Sequence, residues 1–146
     1  MKKALLIAIL AAACLGSFQA LTVRAGAAAT AERAASSDER LAMAFRQRQG
    51  DLQVRGSGTV LRVLADDNSG SRHQRFILRL DSGQTVMVAH NIDLAPRIAS
   101  LRAGDRVGFS GEYEWNAQGG VIHWTHHDPA GRHDAGWLEH DGRMYH

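Results

Sequence analysis

From Gly56 onward the chain is cut at short intervals by clusters of turn-forming residues, and this punctuation limits its fold more than any other feature. Asp66-Asp67-Asn68-Ser69-Gly70, Asp81-Ser82-Gly83, Ala103-Gly104-Asp105 and the stretch from Asn116 to Gly120 are rich in residues that favour turns. Between them the apolar residues recur with a period of two. The spacing predicts strands at Thr59–Leu64, His73–Leu80, Gln84–Asn91, Arg106–Trp115 and Val121–Thr125. The second alternates Phe76, Leu78 and Leu80 against Arg75 and Arg79. The fourth places Val107, Phe109, Tyr113 and Trp115 on one face, with Ser110, Glu112 and Glu114 on the other.

The segment Asp93 to Leu101 breaks this alternation, and Pro96 suits a first helical position, so a short helix is expected between the third and fourth strands. Three strands, a helix and two strands is the order of an oligonucleotide/oligosaccharide-binding (OB) barrel. The expected fold is therefore mainly β, a small five-stranded OB-like barrel (β-β-β-α-β-β) with an irregular histidine-rich tail. Gly56 and Gly58 favour closure over an open antiparallel sheet, because a long first strand must bend between two sheet segments.

Upstream, Ser36-Ser37-Asp38-Glu39 resembles a capping box, Leu41, Ala44 and Phe45 share a helical face, and Gly50 is a plausible stop. A helix from about Asp38 to Gln49 follows from this pattern, with an alanine-rich leader before it. The organisation read from the sequence is residues 1–27 as signal peptide and cleavage region, 28–49 as leader and helix, and 50–146 as barrel with tail. Lys2 and Lys3 before the apolar run Ala4–Leu15 have the layout of a secretory signal, too short to span a bilayer comfortably. A periplasmic or secreted location is expected, with lipid anchoring at Cys14 the lesser alternative. As the sole cysteine, Cys14 also excludes an internal disulfide.

Removing the leader changes the charge argument. Without Lys2 and Lys3 the 17 basic residues become 15 arginines against 15 acids, so the basic balance gives no case for nucleic acid. Nucleic acid is further disfavoured because the polar face of the second strand carries no aromatic platform.

The motifs SRHQRFILRLDSGQTVMVAHNIDLAPRI, GDRVGFSGEYEWN, GGVIHWTHHDP and GWLEH, in that order, resemble a family of small secreted bacterial proteins grouped as a domain of unknown function. The resemblance covers about Gly50 to the C-terminus. It implies kinship and carries no activity.

The last two dozen residues hold six of the eight histidines. Imidazole with carboxylate can bind zinc, copper or nickel, and a site is expected from His126, His127, Asp128, His133 and His140, with His90 brought to the same barrel mouth. His126, His133 and His140 are seven apart, but Pro129, Gly131 and Gly136 argue against one helix through them. His90 is alternatively a hydrogen-bonded core residue. A second class of function is recognition of a small anion or glycan by Arg72, His73, Arg75 and Arg79, with Asn116 and Gln118 opposite. No complete catalytic motif is present. Metal-assisted hydrolysis of a phosphate ester or envelope polymer, and a purely structural envelope role, are the competing readings.

Overall fold

The computed structural model describes residues 37–146; the signal-peptide reading, Cys14 and most of the leader lie outside the described residues. A helix, α1, covers 37–47. Seven strands follow: β1 (Leu52–Val63), β2 (His73–Leu80), β3 (Thr85–Asn91), β4 (Arg106–Glu114), β5 (Val121–His123), β6 (Trp137–His140) and β7 (Arg143–Tyr145). The sheet order is β1-β2-β3-β5-β4-β6-β7, and β1 also pairs with β4. That extra pairing closes the first five strands into a barrel. The β3–β5 pair is parallel and the other pairs are antiparallel. This is the OB-like arrangement.

β1 makes the closure possible. Its first part, Leu52–Thr59, pairs with β4, while Gly58–Val63 pairs with β2, so Gly58 and Thr59 belong to both ladders. A side chain at Gly58 would press on the Arg79 carbonyl, so glycine fits where the strand changes partner. β1 thus serves two sheet segments, and it is longer than the Thr59–Leu64 segment read from alternation.

Inward residues of all five strands form one core, in which Phe76, Phe109, Tyr113 and Ile122 have no solvent exposure. Burying each such side chain stabilises the fold by roughly 1.5–3 kcal/mol. α1 adds Leu41 and Ala44 to the same cluster. It is fixed near the β2–β3 turn, where the buried Asp38 carboxylate accepts the Ser82 amide at 2.7 Å, and Phe45 stacks on Trp115 at 6.4 Å. Asp38 therefore serves a turn in the barrel.

Two expectations need correction. The segment after β3 holds turns and irregular chain, with no helix. The buried Gln74 amide explains this: it donates to the Ile98 carbonyl and accepts the Ile98 amide, both at 2.9 Å, so that backbone is satisfied by a side chain. The tail is also more regular than expected. Its end is a hairpin, β6–β7, turned by Asp141 and Gly142 at φ 51° and 72°, as a type I′ turn requires. β6 then pairs with the first half of β4, through Val107–Ser110.

Candidate functional site: a histidine–carboxylate cluster on the barrel wall

The register of three strands assembles the site. Gln53 on β1 pairs with Glu112 on β4, which pairs with His123 on β5. Because the inward positions of β4 are Val107, Phe109 and Tyr113, Glu112 and Glu114 fall on its outer face. One donor atom from each of Glu112, Glu114 and His123 lies within 4.8 Å of the other two. Ligands bound to one zinc ion sit about 3–3.5 Å apart, so a small inward closure would complete the contact.

Hydrogen bonding distinguishes the members. Glu112 Oε2 lies 3.0 Å from His133 Nδ1, which donates to it in the neutral ring. Its other oxygen is 3.4 Å from His123 Nε2, without hydrogen-bond geometry. Glu114 accepts the Asp51 amide at 3.0 Å. His123 Nε2 is shielded from water and has no hydrogen-bond partner. Burial pushes the His123 pKa below its ordinary value, against the pull of Glu112 and Glu114. A neutral imidazole facing two carboxylates is the protonation state a cation needs.

His133 reaches the cluster on a tightly tied loop. Asp128 accepts the Ala130 amide at 2.9 Å with one oxygen, and the Arg132 and His133 amides at 2.7 and 3.1 Å with the other. These bonds, that from Ala130 foremost, hold its carboxyl below the usual range. The His133 ring stacks on Trp124 with centroids 3.7 Å apart and planes 14° apart. Trp124 itself has φ 52°, a left-handed conformation uncommon for a bulky residue. Strained backbone and stacked ring together aim His133 at Glu112.

The histidines expected to share one site are dispersed. His90 is wholly buried: its Nε2 donates to the Pro96 carbonyl at 3.1 Å and its Nδ1 accepts from the Thr125 hydroxyl at 2.8 Å, so neither ring nitrogen is open. Burial lowers its pKa to about 4. His140 Nε2 bonds the Asp105 carboxylate at 2.9 Å, at the Val107 level of β4, well along the strand from Glu112. His126 donates from Nδ1 to the His127 carbonyl at 2.7 Å and lines a neighbouring cleft with His73, Asn91 and His123. His127 is exposed, and Asp128 spends its oxygens on the loop. Of that set only His133 touches the cluster.

Three of the four residues of the arginine set have partners of their own. Arg72 pairs with Asp93 at 2.7 Å, Arg75 donates twice to the Ala65 carbonyl at 3.1 Å, and His73 Nδ1 bonds the Ser71 carbonyl at 2.8 Å. Arg79 is exposed on β2. What sequence reasoning missed is the grouping of His123 with Glu112 and Glu114. The signal was the hairpin loop: centring a turn on Asn116–Gly120 sets Glu114 opposite Val121, and hence Glu112 opposite His123.

The closed five-stranded barrel places the chain in the class of small OB-like β-barrel domains, here with a histidine–carboxylate cluster on the β4–β5 wall. Within it, the chain belongs to the family described as "Protein of unknown function (DUF3465)", which matches residues 23–146. No curated protein matches the sequence. The family match extends upstream of the resemblance read from Gly50 and takes in α1.

Proposed function

We propose that this barrel is an exported metal-binding domain that holds a divalent transition ion, zinc in the first instance and copper or nickel by the same ligand chemistry, between His123, Glu112 and Glu114. The observation that carries the reading is the buried, unpartnered Nε2 of His123, 3.4 Å from a Glu112 oxygen, in a group whose Glu112, Glu114 and His123 donor atoms lie within 4.8 Å of one another. A buried nitrogen without a partner costs about 1–3 kcal/mol, which a bound cation would recover. His133 acts one step out: by bonding Glu112 it orients the ligand, as supporting groups commonly do around metals. Export rests on the leader read in the sequence, with Lys2 and Lys3 before Ala4–Leu15.

Three protein ligands leave a fourth position for water or a solute. That open position favours metal-assisted hydrolysis as the second reading, since a bound water becomes nucleophilic near neutral pH. Elemental analysis and zinc titration of the untagged mature protein test the proposal. The expected result is one ion per chain, lost in His123→Ala and in Glu112→Gln and kept in His126→Ala and His140→Ala. Equal, substoichiometric metal in all of them would leave a purely structural barrel. Turnover of a model phosphodiester by the zinc form alone would promote the hydrolase.

A further inference from the structure

On the wall across β1, β2 and β3 a different groove opens, with a volume of about 370 Å³. Arg62, Ile77 and Met87 form one cross-strand row along it. Ile77 and Met87 give it a half-buried apolar floor. Thr85 and, from the β4–β5 loop, Asn116 and Gln118 line it as well. Its polar groups are mostly donors. Asn116 Oδ1 already accepts the Gln118 and Gly120 amides at 2.9 and 3.0 Å, so its NH₂ is what remains to offer. No carboxylate lines the groove. Arg62 is exposed at its edge, and Arg79, opposite Thr85 in the β2–β3 ladder, stands exposed beside it. Neither arginine has a polar partner among the described residues.

Two uncommitted guanidinium groups, a free amide and an apolar floor select for an acceptor-rich head joined to an apolar body. The volume is at the small end of the ~300–1,000 Å³ range of ligand sites. No aromatic ring lines the groove to stack a base or a sugar, which sets it apart from a polymer platform. We propose that this groove is a second binding site, independent of the histidine–carboxylate cluster, for a small amphiphile carrying one oxyanion head. The head is of the carboxylate, sulfonate or phosphate class. Arg62 and Arg79 hold it, and Ile77 and Met87 take the body.

The test is a fluorescence titration of the full chain with 8-anilino-1-naphthalenesulfonate, and in parallel with its uncharged relative N-phenyl-1-naphthylamine. Saturable binding of one sulfonate probe per folded chain is expected, with the uncharged probe about tenfold weaker or worse. The double variant Arg62→Gln/Arg79→Gln and the loop variant Gln118→Glu should each lose about tenfold or more, while Arg46→Gln on α1 remains unchanged. Octanoate and octyl phosphate compete, and whichever does so at lower concentration identifies the preferred head. Equal binding of the two probes, indifference to both groove variants, or absence of saturable binding would overturn the proposal. So would competition by inorganic phosphate as strong as that by octyl phosphate. Circular dichroism and melting of each variant separate a lost site from a lost fold.

Discussion

A histidine–carboxylate pair stands beside each half of β4, and the two pairs are built to opposite ends. In the first half, at the level of Val107, His140 meets Asp105 at 2.9 Å with the imidazole 2% exposed. Asp105 also accepts the Arg102 amide at 3.0 Å, the main reason its pKa is lowered. That pair is closed. In the second half, Glu112 and His123 are 3.4 Å apart, the imidazole is 33% exposed, and its Nε2 has no hydrogen bond. Burial alone therefore does not mark a site. A buried donor left without a hydrogen bond does, because only there is coordination capacity left over.

The largest expected effect breaks the comparison at its open end. Combining Glu112→Gln with His123→Ala should weaken zinc by about a thousandfold or more, above the ten- to hundredfold a supporting residue costs. Thermal unfolding of the metal-free protein should hardly change. If calorimetric zinc titration gives equal affinities for wild type and double variant, the two halves are alike and both structural.

Acid should act next, through a third, fully closed histidine. His90 is neutral in the fold with a pKa of about 4 against 6.5 when unfolded. Since the unfolded chain binds the extra proton first, this contribution is fully present above pH 6.5 and is lost as pH falls towards 4. It amounts to on the order of 3 kcal/mol. Urea midpoints across that window should fall, and should fall less in a folded His90→Gln variant. A matching slope in both proteins would assign the acid sensitivity elsewhere.

At the closed end of β4, His140→Ala removes a buried ring and leaves Asp105 a partner short. About 2 kcal/mol of stability should go, by chemical denaturation, with zinc affinity untouched. A loss of zinc instead would move the metal to the hairpin. The smallest effect is the most diagnostic. His133→Phe keeps a ring against Trp124 but cannot donate to Glu112, so zinc should weaken about tenfold at nearly unchanged stability. A hundredfold or greater loss would make His133 a direct ligand.

The barrel was legible because its strands announce themselves one at a time: Phe76, Leu78 and Leu80 alternate, and Asp81-Ser82-Gly83 ends the run. Where a side chain replaces backbone partners the sequence is silent, as with Gln74, whose amide holds Ile98 where Pro96 suggested a helix. The β6–β7 hairpin carried its own signal, Asp141-Gly142, but the surrounding histidines made it read as loop. The cluster was harder still. Glu112 and Glu114 share a face in the sequence, but their meeting with His123 depends on the register of a neighbouring strand.

The ladder between β1 and β4 also orders events in time. The β2–β3 pair joins residues 6 to 18 positions apart, from Arg79 with Thr85 to His73 with Asn91, whereas Gln53 and Ser110, in hydrogen-bond contact, are separated by 57 residues. Contacts of such range are slow to form, since a long loop must close before any of them is rewarded. The wall that carries Glu112 is therefore completed by the last joint of the barrel. Its three candidate ligands, in contrast, all sit on the short-range β4–β5 hairpin, so an ion would find Glu112 and His123 together before that joint closes, and closing then adds the Asp51 amide on Glu114.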